Sequence, residues 1–264
     1  MKKLDFQGKL VVVTGASSGL GREIARSLAI REGANLVVAA RRRDRLEELK
    51  AEIEAHSASR VHVAAIDLGT PQGVQALFQE ATSRGEVYAL VNSAGITFYG
   101  KTLDASLERC EQILAVNQFA AIRASMLFLE RFLNQGAGGI LSVTSVYAFL
   151  SAPYQNMYSA SKHAVQAFME GLAREYRGRG VVFSTFAAGG IATEMITYSG
   201  MDRKFNLDSP VYLRPAVAAR KAIDAFRRGR LCTVPGLLYK MIVILAKLAP
   251  RRLATWAAGR IFAP

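Results

Sequence analysis

A tyrosine and a lysine four residues apart are the side chains of this sequence best suited to proton transfer. Tyr158 and Lys162 begin a segment with helical spacing, so both lie on one helix face with Cβ atoms about 5–6 Å apart. Tyrosine in water has a pKa of about 10, and a nearby cation stabilises the phenolate and lowers that pKa. The pair therefore predicts a general acid/base. Ser145, at the end of a predicted strand, is expected to hydrogen-bond the same substrate oxygen.

A glycine-rich turn near the N-terminus predicts a dinucleotide site. The letters TGASSGLG follow the first predicted strand and open a helix. Glycines let the backbone turn sharply and approach a pyrophosphate, and the free N–H groups of a helix N-terminus favour an anion. A turn selected only for close helix packing is the alternative. The residues predicted to hold the cofactor here are Gly15, Ser17, Ser18, Gly19, Leu20 and Gly21.

The end of the second predicted strand carries the residues that select the dinucleotide. NAD-binding folds usually place an acid there, where it binds the adenosine 2′-hydroxyl. This sequence instead continues from Ala40 into Arg41 and Arg42, and guanidiniums clamp a 2′-phosphate that a carboxylate would repel. We therefore expect NADP(H) to be preferred over NAD(H), with Arg41 as the main phosphate ligand and Arg42 and Ser17 beside it. The alternative is an ordinary solvated first turn of a helix.

The elements that must position these residues alternate between strand and helix. Six short apolar or β-branched runs predict buried parallel strands, and segments of helical spacing separate them. We predict an α/β fold, a single-domain Rossmann-type doubly wound parallel sheet flanked by helices. Residues 1–213 form its predicted catalytic core, and residues 214–264 an apolar, basic C-terminal helical extension of the same domain. The predicted strands are 10–13, 35–40, 61–66, 89–92, 139–144 and 181–186, and the predicted helices are 21–30, 43–55, 71–84, 107–133, 158–177, 216–227 and 237–248.

The order and spacing of these motifs resemble those of the short-chain dehydrogenase/reductase family over roughly residues 9–195. TGASSGLG stands at Thr14–Gly21, and YSASK stands at Tyr158–Lys162. NSAG at Asn92–Gly95 and an acid–leucine pair at Asp67–Leu68 match two further family motifs. The family's usual NNAG is therefore NSAG here, and its usual Pro-Gly after the sixth strand is Ala188–Gly189.

The resemblance implies a role for each matched residue. Tyr158 would be the general acid/base and Ser145 would orient and polarise the carbonyl. Lys162 would bind the nicotinamide ribose and lower the tyrosine pKa, while Asn117 would hold a water that connects Lys162 to solvent. Further cofactor contacts are implied for Asp67, Leu68, Asn92, Ala94, Gly95, Ile191 and Thr193.

The reaction implied by this resemblance is hydride transfer between the nicotinamide and a carbonyl carbon. Tyr158 would give its proton to the developing alkoxide, so the chain would be an NAD(P)-dependent short-chain dehydrogenase/reductase acting on CH-OH and C=O groups. The alternative function is an NADP-binding protein without catalysis. Such a protein would act through its basic C-terminal tail at membranes or with a partner.

The net charge of +13 is concentrated at the C-terminal end. Residues 214–264 hold eleven Lys and Arg and one acid, and the rest of the chain carries only +3. Residues 237–248 are strongly apolar, but a bilayer-spanning helix needs about 20 apolar residues. Lys240 and Lys247 fall on one stripe with Trp256 downstream, which favours a peripheral membrane contact through 237–260. A helix that covers the active site or a neighbouring subunit is the alternative.

Apolar and aromatic residues after the sixth predicted strand favour a small hydrophobic carbonyl or alcohol substrate, such as a lipid, steroid, retinoid or long-chain ketone. A lid or a subunit interface would have the same composition. These residues are 195–201, Phe205, Leu207, Val211 and Tyr212, with Val146, Tyr147, Phe149 and Tyr154 expected on the other wall.

The sequence predicts no metal site and no nucleic-acid partner. Its two cysteines, Cys110 and Cys232, lie far apart, and the basic residues form no recognised nucleic-acid motif. The N-terminus lacks the continuous apolar run of a signal peptide, so we expect a cytoplasmic protein, with peripheral contact at the membrane. A homo-oligomer is also expected.

Overall fold

A computed structural model describes residues 3–203, 206–207 and 209–263. Within these residues seven strands form one parallel sheet in the order β3-β2-β1-β4-β5-β6-β7. The strands are β1 (Leu10–Thr14), β2 (Asn35–Ala40), β3 (Val61–Ala65), β4 (Val87–Asn92), β5 (Gly138–Ser145), β6 (Val181–Ala188) and β7 (Cys232–Thr233).

Helices cover both faces of this sheet. They are α1 (Gly19–Glu32), α2 (Arg43–His56), α3 (Pro71–Ser83), α4 (Leu107–Leu114), α5 (Ala120–Gln135), α6 (Asn156–Glu175), α7 (Glu194–Ser199), α8 (Pro215–Arg227), α9 (Leu237–Leu248) and α10 (Arg251–Phe262).

The strands are apolar throughout because each face of the sheet has its own core. Val11 and Val13 join a cluster with Ile24 and Phe226 from the helices on one face. Val12 joins a second cluster on the other face, with Phe128 of α5. Alternate side chains of one strand thus enter different cores, as a parallel sheet covered on both sides requires. The doubly wound prediction is confirmed.

The sheet places the functional residues at its carboxyl edge. The strand order reverses between β1 and β4, and ligands of such sheets bind in the crevice outside the strand ends at this reversal. Thr14, Asn92, Ser145 and Ala188 end β1, β4, β5 and β6. Residues distant in the sequence therefore meet at one edge.

The observed elements differ from the predicted ones at four places, one of which is helix α7, a short helix that was not predicted. The predicted helix 107–133 is α4 and α5 joined through a π-helical turn at Ala115–Phe119. The seventh strand, Cys232–Thr233, pairs with β6 and is too short to show periodicity in the sequence. Helix α10 was predicted only as a continuation of the basic tail.

The C-terminal region divides into two parts. Phe226 of α8 is fully buried in the sheet's core, and β7 extends the sheet, so residues 215–233 belong to the body of the fold. Helices α9 and α10 follow and form a pair of their own, which we call the C-terminal helix pair.

One segment among the described residues, Leu107–Gln135, is long and apolar enough to cross a membrane by length and composition. Its Phe128 and Phe132 are fully buried against the sheet. Core helices of soluble folds meet the same criterion, and the burial of these two rings is that of a core helix.

Candidate active site

Three predicted residues meet at the end of β5. Ser145 ends that strand, and Tyr158 and Lys162 face it from the first turns of α6. The Lys162 Nζ lies 5.5 Å from the centre of the Tyr158 ring. Ser145 hydrogen-bonds the Tyr158 side chain, and its Oγ accepts a hydrogen bond from the Tyr147 backbone N–H at 3.2 Å. The fold therefore brings together the acid/base, the cation and the hydroxyl that the sequence predicted.

The pKa of Tyr158 differs from the expectation of a lowered value. Burial raises the pKa of Tyr158 to about 12, and the hydrogen bond from Ser145 opposes that rise without cancelling it. The phenol is therefore fully protonated at neutral pH, because its surroundings penalise the phenolate more than its neighbours stabilise it. A phenol in this state is a proton donor.

Lys162 shares this buried environment. Burial lowers the pKa of Lys162 to about 8, since desolvation penalises its charged form. Its Nζ donates a hydrogen bond to the Val143 carbonyl oxygen at 2.9 Å, which fixes the ammonium beside the end of β5. The lysine is therefore poised to gain or lose its charge near neutral pH.

Asn117 sits in the π-helical turn and holds a neighbouring loop. Its Oδ1 accepts from the Ile96 N–H at 2.8 Å, and its Nδ2 donates to the Ile96 carbonyl at 2.9 Å and to Ser161 Oγ at 3.1 Å. A Cβ on Gly95 would lie 3.5 Å from Asn117 Oδ1 and 3.7 Å from Lys162 Nζ. By these contacts Asn117 is a positioning residue, and the water it was predicted to hold stays a prediction.

Asn92 does not face the cofactor cleft, contrary to the prediction. Its Nδ2 donates to Ser125 Oγ at 2.9 Å and to Ser142 Oγ at 3.3 Å. This buried network ties the end of β4 to β5 and α5. Asn92 therefore supports the loop that follows it, because a buried amide takes the partners that the core offers.

The glycine turn has the shape of a phosphate cradle. Gly15 has a φ of +69°, and a Cβ there would approach Ala94 Cα at 2.7 Å. A Cβ on Gly21 would collide with the Gly15 carbonyl oxygen. Helix α1 starts here with no acidic residue in its first turn and no side-chain cap at Ser18, so its N–H groups are available to an anion. The residues present fit the pyrophosphate of a dinucleotide.

Two arginines lie where the 2′-phosphate was predicted. The guanidinium that contacts Ser17 belongs to Arg42, whose Nη2 donates to Ser17 Oγ at 3.2 Å. Arg42 also forms an ion pair with Glu194 of α7 at 3.4 Å. Arg41 lies along the same wall of the cavity. The geometry therefore favours Arg42 over Arg41, which the sequence had ranked first.

The other predicted cofactor residues surround the same cleft. The lining includes Leu20, Asp67, Leu68, Ala94, Gly95, Ile191 and Thr193. A Cβ on Gly19 would lie 3.2 Å from the Thr193 methyl group, so the start of α7 packs over the glycine turn. Thr14, which the sequence reasoning did not single out, accepts hydrogen bonds from the backbone N–H groups of Ser93 and Ala94 at 3.0 and 3.2 Å.

The cleft continues into one cavity of about 1150 Å³ that ends against the C-terminal helix pair. This volume exceeds the roughly 300–1,000 Å³ of a pocket for one drug-sized ligand. It has room for a dinucleotide and a substrate together. The wall contributed by α9 and α10 contains Leu238, Tyr239, Ile242, Leu245, Ala246, Leu253, Ala254, Ala257, Ala258, Ile261 and Phe262.

Two aromatic residues of this wall were missed by the sequence reasoning. Phe262 packs edge-on against Tyr147 at 5.2 Å between ring centres, and Tyr147 in turn packs edge-on against Tyr158 at 6.2 Å. The Phe262 carbonyl accepts a hydrogen bond from the Tyr99 hydroxyl at 2.9 Å. Tyr239 lies against Gly189, where a Cβ would enter its ring. The apolar spacing of the tail was the only available signal, and it did not say which surface the tail covers.

The predicted substrate wall is present in part. Met195, Ile196, Tyr198, Met201, Val211, Tyr212, Val146 and Tyr147 line the cavity. Phe149 lies outside this lining and holds the Lys247 ammonium 4.7 Å from its ring centre. Leu207 and Tyr154 lie outside the lining too, and Phe205 lies outside the described residues.

No group of three or more His, Cys, Asp or Glu could hold a metal ion within the part of the chain that the structure describes. Cys110 and Cys232 are free thiols. The polar groups that gather at the sheet edge are thus the acid/base set and the cofactor cradle.

The chain is similar in sequence to known dehydrogenases over most of its length. Residues 9–204 match the model described as short chain dehydrogenase. The dehydrogenase/reductase SDR family member 7B of Danio rerio is 32% identical over 74% of this chain and 64% of its own length. The chain therefore spans slightly less than two thirds of that relative.

Solved structures give the same picture. A short-chain dehydrogenase from Sphingobium yanoikuyae in complex with NADPH has a TM-score of 0.81 and 28% identity, covering 87% of this chain and 88% of that one. A short chain dehydrogenase/reductase from Burkholderia phymatum in complex with NAD has a TM-score of 0.84 and 25% identity, covering 92% and 94%. These neighbours hold different nicotinamide cofactors.

Proposed function

The chain belongs to the short-chain dehydrogenase/reductase family of NAD(P)-dependent oxidoreductases, and from this membership we propose that it interconverts a hydrophobic ketone or aldehyde and its alcohol with NADP(H). One observation carries the proposal. Tyr158, Lys162 and Ser145 lie together inside a cavity that runs from a phosphate cradle to an apolar wall.

The chain's own residues account for the proton in this reaction. The nicotinamide cofactor, when bound, supplies or accepts the hydride at the carbonyl carbon. In reduction Ser145 donates a hydrogen bond to the carbonyl oxygen, and Tyr158 gives that oxygen its proton. The pKa of Tyr158, raised to about 12 by burial, keeps the proton on the phenol until a stronger base, the alkoxide, forms beside it.

Lys162 stabilises the product of that transfer. Once Tyr158 has given up its proton it is a phenolate, and the ammonium 5.5 Å from the ring centre stabilises this negative charge. Reduction is therefore the direction favoured by the protonation states at neutral pH. Oxidation requires the same phenol to lose its proton first, which its raised pKa opposes.

NADP(H) is the proposed cofactor because the adenosine end of the cleft is cationic. Arg42 and Ser17 are already in contact at 3.2 Å, and Arg41 lines the wall beside them. A 2′-phosphate there forms charge-assisted hydrogen bonds to guanidinium, which are about twice as strong as neutral ones.

A hydrophobic substrate is proposed because the cavity's outer half is built from aliphatic and aromatic side chains. Tyr147 and Phe262 pack edge-on against each other next to Tyr158. Alanines of α9 and α10, such as Ala246 and Ala257, also line this half of the cavity. A lipid, steroid, retinoid or long-chain ketone fits this lining better than a small polar carbonyl.

Peripheral membrane contact is proposed for the C-terminal helix pair. Its exposed side includes Leu237, Leu248 and Trp256, which are 77%, 79% and 61% exposed. Such a surface, flanked by lysines and arginines, suits the interface of an anionic membrane. The cytoplasmic location stays a prediction.

A homo-oligomer is proposed through a different surface. Phe119 and Met126 are each 61% exposed and lie seven residues apart on the continuous α4–α5 segment, so they share one face. Burial of these side chains against a second copy would remove them from water. Light scattering coupled to size exclusion would show a monomer for the wild type if this proposal is wrong.

The decisive experiment measures the decrease of NADPH absorbance when the protein is incubated with each of a panel of ketones of increasing chain length. We expect oxidation of NADPH to be fastest with long-chain or polycyclic ketones. Preference for short polar ketones would contradict the proposed substrate class. NADP binding without turnover of any carbonyl would favour the non-catalytic alternative.

A further inference from the structure

Four aliphatic side chains of the C-terminal helix pair both line the cavity and reach solvent. Leu238 and Leu245 of α9 are 51% and 60% exposed, and Leu253 and Ile261 of α10 are 56% and 58% exposed. All four also belong to the cavity lining. They therefore rim an opening of the cavity between the two helices, which we call the helix mouth.

The geometry of α9 explains why the mouth is apolar on both sides. Successive residues of a helix are turned by about 100°. Leu237, Met241 and Leu248 thus form one exposed stripe, and Ile242 and Ala246 form the face toward the cavity. Leu238 and Leu245 lie where these two faces meet. The outer apolar stripe is consequently continuous with the apolar lining of the cavity.

The charged side chains of the C-terminal helix pair are all positive. Residues 237–263 contain Lys240, Lys247, Arg251, Arg252 and Arg260, and no acidic residue. All five are exposed. Lys240 and Lys247 lie beside the exposed apolar stripe of α9, and the Arg260 guanidinium lies 5.6 Å from the centre of the Trp256 ring.

We propose that the helix mouth opens onto an anionic bilayer and that the carbonyl substrate passes from the acyl-chain region directly into the cavity through it. The inference rests on the proposed function and deepens it, because it assigns the source of the substrate and its route. The route runs between Leu245 and Ile261 to Phe262 and Tyr147, and from there to Tyr158.

The charge pattern selects the bilayer over a second copy of this chain. Two copies joined through this face would bring two sets of five cations together without a single carboxylate from residues 237–263 to pair them. Anionic headgroups complement the same cations, and each Lys or Arg near the surface adds to this attraction. The exposed leucines then enter the region below the headgroups.

Transfer from a bilayer also removes an energetic obstacle. Each CH₂ group that a long-chain ketone exposes to water makes its passage through the aqueous phase less favourable. The apolar surface is continuous from the exposed stripe to the cavity. The hydrocarbon chain of the ketone can therefore pass from the bilayer into the cavity without contacting water. The lysines and arginines of the C-terminal helix pair hold the mouth against the membrane during this transfer.

The test compares a mouth residue with an exposed leucine outside the helix pair. Leu245→Trp narrows the mouth, whereas Leu103→Trp changes a 96% exposed side chain that belongs neither to the cavity lining nor to the C-terminal helix pair. Each variant and the wild type are assayed with NADPH and 2-tridecanone dissolved in vesicles of phosphatidylcholine and phosphatidylglycerol, and vesicle binding is measured by pelleting. We expect Leu245→Trp to lower kcat/KM roughly tenfold with unchanged binding, and Leu103→Trp to leave both near wild type.

A second measurement uses the only tryptophan of the wild-type chain as a reporter. Trp256 fluorescence should be quenched by anionic vesicles with brominated acyl chains and unaffected by pure phosphatidylcholine vesicles that carry the same label. Quenching only in the anionic vesicles, with the kinetic difference above, supports the inference.

Three outcomes would overturn the inference. Equal kinetics for the two variants would mean that the substrate does not pass the mouth. Unquenched Trp256, together with concentration-dependent self-association lost in Leu248→Glu, would mean that a second copy covers this face. Wild-type inactivity toward every ketone, with Trp256 still quenched, would remove the proposed function and its route while leaving the docking surface.

Discussion

The acid/base edge of the sheet and the C-terminal helix pair are built on opposite principles. At the sheet edge polar groups are buried and paired, as in the hydrogen bonds of Asn117 to Ile96 and Ser161. In the helix pair apolar side chains such as Leu248 remain 79% exposed. The sheet edge buries its reactive groups away from water, whereas the C-terminal helix pair exposes an apolar surface to solvent.

The contrast indicates a division of roles, in which the sheet edge carries the chemistry and the C-terminal helix pair helps to select the substrate. The family match covers residues 9–204, which hold the acid/base set and the phosphate cradle. Helices α9 and α10 lie beyond that match and form the outer wall of the cavity. A shared catalytic edge can therefore serve different carbonyl compounds when the helices that close the cavity differ.

Removing the proton donor should give the largest effect and test the chemical half of the contrast. Tyr158→Phe keeps the ring but loses the hydroxyl, so carbonyl reduction should fall ~10²–10⁴-fold, with the Kd for NADPH unchanged. Steady-state kinetics and NADPH fluorescence titration measure the two quantities. Tyr176→Phe, at the other end of α6, is the control that should keep wild-type turnover. Retained activity in Tyr158→Phe would mean that another group protonates the alkoxide.

Removing the guanidinium beside Ser17 should give the next largest effect. In Arg42→Ala we expect the Kd for NADPH to rise roughly 10- to 100-fold, the range of one charged hydrogen-bonded group, with little change for NADH. Arg45→Ala is the matched control, because Arg45 pairs with Glu48 on the outside of α2. Equal losses for both dinucleotides would show that Arg42 supports the fold of the cradle.

The pH profile tests the role of Lys162 at the buried edge. The pKa of Lys162 is lowered to about 8 by burial, so its ammonium is present below that pH and lost above it. The kcat/KM for reduction should consequently fall about tenfold per pH unit above about 8, as the free enzyme loses the charge that stabilises the phenolate. Lys162→Arg keeps its charge and should lose this alkaline limb. A limb unchanged in Lys162→Arg would assign it to another group.

The smallest effect should come from the contact that joins the two regions. A Cβ on Gly189 would enter the ring of Tyr239, so Gly189→Ala should displace α9 slightly and raise the KM for a long-chain ketone several-fold. The Kd for NADPH should change little. Tyr239→Ala added to Gly189→Ala removes the collision and should restore the KM. If the Kd for NADPH rose as much as the KM for the ketone, the helix pair would affect cofactor binding as well as substrate binding. That result would contradict the proposed separation of function between the sheet edge and the helix pair.

Much of the catalytic edge was predictable because its signals are local. The turn at Gly15 depends on local backbone conformation, and the pairing of Tyr158 with Lys162 depends on their spacing along one helix. A single segment of sequence determines each of these features. Asn92 was misassigned because its partners, Ser125 and Ser142, are 33 and 50 residues away. Arg41 was ranked above Arg42 for the same reason, since the direction of each side chain depends on how α2 meets the glycine turn.

The sequence by itself determined the order of the strands' apolar runs, the phosphate cradle and the acid/base pair, since periodicity and turn chemistry are properties of neighbouring residues. Only the tertiary structure decided the raised pKa of Tyr158, the direction of the Asn92 side chain into the core, and the surface that α9 and α10 cover. Each of these depends on which distant groups exclude water from a given atom. Burial is a property of the packed chain, and no stretch of sequence carries it alone.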